Sequence, residues 1–238
     1  MNELPEELIV NIFIFMSFQD VMKNTTLVSK NFNQIIVNHF LKRKITKYVI
    51  SKHEDYKLLL KFESKIKTLI IIGTSFINEF ELVNINYEKL FLKKVCTFNF
   101  PNVNCLDHNI SKKCKKITFY KSFLSESFMK SLKYLVLCRS LRLYKTYGCT
   151  RDQDYIYKCM KTLPNLQKIS LSHLFLNNRQ LCLMTGYQII IFERVYMVGD
   201  LELLFKDSKV HLIKCYLRSF DNFRTPLNQI IIGQNYKF

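Results

Sequence analysis

The chain has 238 residues, 48% of them hydrophobic and 14% aromatic, with only five Gly and four Pro. That is enough apolar material for a core and too few chain breakers for long disordered linkers. The net charge of +17 admits nucleic acid, acidic polypeptide or anionic lipid as a partner. The longest apolar stretch, Leu8–Met16 interrupted by Asn11, falls far short of the roughly 18 residues that span a bilayer, so no membrane crossing is expected.

The charge is uneven. Residues 1–40 hold Glu3, Glu6, Glu7 and Asp20 against Lys23 and Lys30, so the remainder carries +19. Those basic residues form no tight cluster along the chain. The simplest reading is therefore solvated surface lysine rather than a nucleic-acid patch. Acids and a Pro at the front, in place of a basic run leading into an apolar one, predict no secretory leader. The eight cysteines are then free thiols of a cytoplasmic or nuclear protein.

In chain order, Leu4-Pro5-Glu6-Glu7-Leu8 predicts a helix start, with Pro in the first turn and two acids at the positive end of the helix dipole. Leu8, Ile9, Ile12, Phe13 and Met16 then form one broad apolar stripe. Ser17 and Asp20 give an S-x-x-D cap for a second short helix that includes Val21. Val28, Phe32, Ile35 and Ile36 mark a third. Three helices of this size cannot bury all their apolar surface within themselves, so another polypeptide or the rest of the chain must cover part of it.

The series Leu4-Pro5-x-Glu7-Leu8-Ile9-x-x-Ile12-Phe13, Met16-Ser17-x-x-Asp20-Val21 and Val28-Ser29-Lys30-x-Phe32-x-x-Ile35 resembles an F-box, ungapped, across about the first 40 residues. Phe32 departs from the family, which often has Trp there. The resemblance implies docking on a Skp-family adaptor and, through it, on the cullin of an SCF-type ubiquitin ligase. It assigns adaptor contact, or its direct support, to Leu4, Pro5, Leu8, Ile9, Ile12 and Phe13, with Pro5 and Ile9 foremost. Met16, Val21, Val28 and Phe32 become core of the unit.

Beyond it, an apolar-x-apolar pattern recurs at Leu69/Ile71, Leu90/Leu92, Ile117/Phe119, Leu135/Leu137, Ile169/Leu171, Ile190/Phe192, Ile213/Cys215 and Ile230/Ile232, at intervals of 21, 27, 18, 34, 21, 23 and 17 residues. Leucine-rich repeats run about 20–29 residues with one such strand each. The longest interval contains Lys145–Tyr155, read as an inserted loop. Pro101-Asn102-Val103 and Pro164-Asn165-Leu166 share a lead-in to a strand, while Leu106 leaves the register of 95–117 open. The pattern resembles the irregular repeats behind many F-boxes. The expected architecture is α/β: a three-helix F-box over 1–44, then an irregular leucine-rich-repeat solenoid over 45–238 for target recognition. An ordinary α/β or all-β domain is the other fold the pattern allows.

In a solenoid, Lys93, Lys94, Lys121, Arg139, Ser170, Ser172 and Arg194 lie on or beside the open sheet face, suited to an acidic or phosphorylated protein segment. Cys96, Cys105, His108 and Cys114 lack the paired short spacings of common zinc modules, so no metal is expected. The five histidines pair with no nucleophile signature, and phosphate-loop and nucleophile-elbow motifs are missing. Cys138 and Cys149 lie near Arg139 and Arg151, a thin basis for a thiol relay. The expectation is a non-catalytic adaptor without cofactor. A basic repeat protein that binds nucleic acid is the alternative, and an F-box protein acting outside ubiquitin transfer is a third.

Overall fold

The computed structural model describes residues 5–14, 16, 20–22, 34–35, 45–60, 66–73, 85–96, 113–148, 154–201, 204, 208–218, 224–227 and 230–232. Helix α1 spans Glu6–Ile14. Most of the expected second and third helices lies outside the described residues. None of the described helices is long and apolar enough to cross a membrane.

The body is mixed α/β, built on a large sheet. Its strands are β1 (Ile45–Ile50), β2 (Ile66–Ile72), β3 (Tyr87–Lys93), β4 (Lys116–Tyr120), β6 (Ser140–Tyr144), β8 (Lys168–Ser172), β10 (Ile189–Glu193) and β12 (Lys209–Ile213). They pair in chain order and all are parallel, with β15 (Ile230–Ile232) antiparallel on β12 at the end. Alternation along each strand sends one set of side chains to either side. One buried row runs from Tyr48 through Leu69, Leu90, Ile117, Leu141, Ile169 and Ile190 to Val210, all at most 1% exposed. Its members are 21, 21, 27, 24, 28, 21 and 20 residues apart. The second buried row, Ile50 to Leu212, lies two residues further along each strand.

These rows pack on short helices: α2 (His53–Leu60), α3 (Glu126–Ser131), α4 (Asp154–Met160) and α5 (Asn178–Cys182). Phe128 of α3 meets Phe119 edge to face at 5.9 Å. Helix α3 starts where the Phe128 amide donates to Ser125 Oγ at 3.3 Å. Helix α5 starts with a reciprocal box, in which Asn177 Oδ1 accepts from the Gln180 amide and Gln180 Oε1 from the Asn177 amide.

After five of these strands the chain turns sharply into a short outer strand: β5 (Phe123–Leu124), β7 (Tyr147–Gly148), β9 (Phe175–Leu176), β11 (Tyr196–Val198) and β13 (Cys215–Arg218). β5 pairs with β7, while β9, β11 and β13 pair in parallel and β14 (Arg224–Leu227) closes that sheet antiparallel.

Four readings of the sequence are corrected here. Leu135/Leu137 is not a strand: Leu135 follows a 3-10 turn at Leu132–Tyr134, and the strand lies at Leu141/Leu143. With that shift the long interval disappears, and the expected loop Lys145–Tyr155 contains β7 and the start of α4. Ile213/Cys215 straddles a corner between two sheets. Ile230/Ile232 runs antiparallel, and Tyr48/Ile50 of β1 is an additional strand.

Candidate interaction surfaces

The Pro5 carbonyl accepts from the amides of Leu8 at 3.0 Å and Ile9 at 3.2 Å, opening α1. The helix divides its stripe between two surroundings. Ile9 and Phe13 are buried with Val21, Met22 and Ile35, and Val10 and Met16 pack against that cluster. Leu8 and Ile12, four residues apart on one ridge, remain 49% and 52% exposed, and Pro5 beside them is exposed. Of the residues singled out in the sequence, Ile9, Phe13, Met16 and Val21 thus belong to the inside of this unit. Pro5, Leu8 and Ile12 line its outside. Leu4, Val28 and Phe32 lie outside the described residues.

The sheet's open face carries three rows. At the strand starts, Lys47, Lys89, Lys116, Lys168 and Lys209 occupy equivalent registers. The Lys116 amine is pushed below its ordinary value by burial, then by Lys89, Arg142 and Lys168. From the middle row, Arg142 Nη2 reaches Glu193 Oε2 in the end row at 3.0 Å, and Ser172 Oγ, beside Glu193 in that end row, bonds the same oxygen at 3.2 Å. From Phe91 in the middle row, the rings of Tyr120, Tyr144 and His173 toward the strand ends follow at 6.2, 4.5 and 4.6 Å. Lys93 and Lys121 place their ammonium groups 5.9 and 5.6 Å from the Tyr120 ring centre.

At the corners that end the strands, Lys94, Lys121, Lys145, His173, Arg194 and Lys214 all adopt positive φ between 45° and 55°. Each of the first five donates its amide to the last carbonyl of the following strand at 2.8–3.0 Å, as Lys94 does to Tyr120. Lysines remote in sequence thereby form one column at this edge. The strand pairing, which the sequence order conceals, is what aligns them. Lys93, Lys94, Lys121 and Arg194 are brought together at this end. Arg139 is not: its amide and carbonyl bond Lys115 and Lys168 at the opposite edge, about 16 Å away across a five-residue strand. Ser172 is buried and Ser170 half-buried. Lys145, His173, Lys214 and Arg142 were not singled out from the sequence. A cation recurring at the strand interval is the signal that would have found them.

Among the described residues no group of three metal-ligating side chains forms. Cys105, His108 and Cys149 lie outside the described residues. Burial pushes the Cys138 thiol up to about 11 and, with Cys138 adding to it, Cys114 to about 12. Both are fully buried, so neither supplies a thiolate for a relay.

Residues 1–44 match the family model of the F-box domain. An F-box generally binds a Skp-family adaptor and thus a cullin, which implies in general a role in substrate recognition by SCF-type ubiquitin ligases. The match covers the front of the chain and does not extend to the sheet. No curated protein matches the chain.

Proposed function

We propose that the chain is a substrate-recognition adaptor of an SCF-type E3 ubiquitin ligase, with residues 1–44 docking on a Skp-family adaptor and residues 45–238 holding a protein target. The observation that carries this reading is the division of α1 within the F-box match: Ile9 and Phe13 hold the unit together, while Leu8 and Ile12 remain half exposed beside Pro5. Apolar surface of this kind on a short helix gains free energy when a second chain covers it.

For the body, the reading is leucine-rich-repeat-like. Successive members of the buried row are 20–28 residues apart, inside the interval such repeats keep, and each strand pairs with the one before it. No single unit of strand and short helix could bury its apolar face alone, whereas stacking completes the core. Catalysis then belongs to other subunits of the ligase.

Co-purification from cells tests the proposal, comparing wild type with Leu8→Asp/Ile12→Asp. Ile9→Asp would place a charge inside the helical unit and is the poorer probe. The expected result is loss of both Skp-family adaptor and cullin from a variant that keeps its circular dichroism and its body intact. Retention of the adaptor by that variant would overturn the reading.

A further inference from the structure

The corners do more than gather charge. Two residues beyond five of these six corner residues stands an aromatic residue: Phe123, Tyr147, Phe175, Tyr196 and Tyr216. The residue between is buried in every case and seals the turn, as where the hydroxyl of Thr146 reaches the carbonyls of Tyr144 and Phe119 at 3.1 and 3.3 Å. The rings project outward, with Phe123, Tyr147, Phe175 and Tyr216 47%, 39%, 59% and 52% exposed. They are held in register by backbone bonds such as the Tyr196 amide to the Leu174 carbonyl at 2.9 Å. A column of cations thus runs beside a column of rings along the corners where the large sheet gives way to the two outer sheets.

Sterics do not select this composition. A corner with positive φ favours Gly, Asn or Asp, the residues that bear it at least strain. Gly73, at the same corner after β2, follows that rule, and Asn is plentiful in the chain. The next six are all cationic or imidazole, although Lys and Arg make up only 36 of 238 residues. Among the described residues, none of the six forms an ion pair. Five of the six carry a full positive charge despite conformational cost, and the sixth, His173, meets Arg194 Nη1 through its Nε2 at 3.4 Å, which points to an anionic occupant.

We propose that this edge binds an extended polypeptide segment of about seven residues in which acidic and apolar side chains alternate. The inference rests on the target-recognition half of the function proposed above and names the chemistry of that target. Five steps of about 4.8 Å between six neighbouring strands make an edge about 24 Å long, which about seven residues span at ~3.3 Å each. Successive side chains of an extended chain point to opposite sides. Alternation therefore lays acids along the cation column and apolar groups along the rings. Single-stranded nucleic acid fits less well, because its affinity draws on bases stacking against aromatic faces. Here Phe175 and Tyr196 stack on each other at 5.4 Å and 14°, closer than the roughly 7 Å that two stacking steps of ~3.4 Å require for an inserted base.

Fluorescence anisotropy on the full chain tests this with three labelled probes. They are a peptide in which Asp and Leu alternate, a block isomer of the same composition with every Asp ahead of every Leu, and a short oligothymidylate. Two variants accompany the wild type. Lys94→Asn/Lys121→Asn/Lys145→Asn/Arg194→Asn removes charge with a residue that suits the corner, so the fold is kept. Phe175→Ser/Tyr216→Ser removes two rings. The alternating peptide is expected to bind the wild type more tightly than either other probe, and to lose about tenfold or more against the Asn variant and severalfold against the Ser variant. Equal binding of the block isomer, unchanged peptide affinity in the Asn variant, or tighter binding of oligothymidylate would each overturn the proposal. The front helix takes no part in this assay. Failure here leaves adaptor docking standing, and failure of adaptor docking leaves this edge standing.

Discussion

Leu8 and Ile9 are adjacent in α1, similar in size, and placed in opposite surroundings, and this contrast makes a quantitative prediction. Complete burial of a Leu or Ile side chain stabilises by roughly 1.5–3 kcal/mol. Leu8 and Ile12 are 49% and 52% exposed, so about half of that, roughly 0.7–1.5 kcal/mol at each, is still available to a docking partner. Truncating both to Ala should therefore weaken adaptor binding by roughly 1.5–3 kcal/mol, about 10- to 150-fold in Kd. Ile9 is only 7% exposed and packs with Phe13, Val21, Met22 and Ile35. Ile9→Ala should cost about 2–5 kcal/mol of the helical unit's stability. Calorimetric titration with purified adaptor gives the first quantity, and hydrogen exchange of α1 amides gives the second. A Leu8→Ala/Ile12→Ala variant that binds as tightly as wild type would refute the reasoning. So would an Ile9→Ala variant with undiminished α1 protection.

Two further predictions concern the body. Gly199 has φ +139°, and a Cβ there would fall 2.5 Å from Asn178 Oδ1 and 2.7 Å from Asn178 Cα. Gly199→Ala should cost about 2–5 kcal/mol in urea denaturation, combining backbone strain with a steric clash, and a loss below about 0.5 kcal/mol would contradict the packing described. Burial, then Lys145 and Arg194, lower the His173 imidazole against an opposing pull from Glu193; burial, then Lys209 and Lys168, lower His211. The unfolded chain therefore takes up protons at higher pH than the folded one, so stability should be full above the ordinary imidazole value of about 6.5 and fall as pH drops below it. Urea midpoints on either side of that value, at about pH 7.5 and about pH 5.5, should differ in the wild type and converge in His173→Asn/His211→Gln.

The strands legible in the sequence were those whose inward residues are plain aliphatics, as at Leu69/Ile71 and Ile190/Phe192, because period-two alternation stands out there. Leu135-Val136-Leu137-Cys138 imitated a strand because over four residues an apolar run does not distinguish a strand from a tight helical turn. The real strand begins two residues later, at Ser140. Ile213-Lys214-Cys215 imitated one for a different reason. Lys214 sits at a corner with φ 51°, and a solvated corner residue between two buried ones leaves the same trace as the outward residue of a strand. The front segment was legible because its residues follow one another without gaps. The split of its stripe was not, since Ile9 and Leu8 differ only in that Val21, Met22 and Ile35 cluster with the first and not with the second.

The cation column shows why a basic chain need not contain a basic segment. Lys121, Lys145, Arg194 and Lys214, with the His173 imidazole between Lys145 and Arg194, stand at intervals of 24, 28, 21 and 20 residues, too far for any local measure of charge to register. Parallel pairing in chain order reduces each of those intervals to one strand spacing of about 4.8 Å. The same step aligns the aromatic residues two places on, so a short cation-x-aromatic phrase becomes a two-column surface. A charged edge of this kind is screened by salt, whereas the apolar ridge of Leu8 and Ile12 is not. On the proposed reading, the front helix and this edge would therefore hold their partners by different physics, so that added salt would release the second and leave the first engaged.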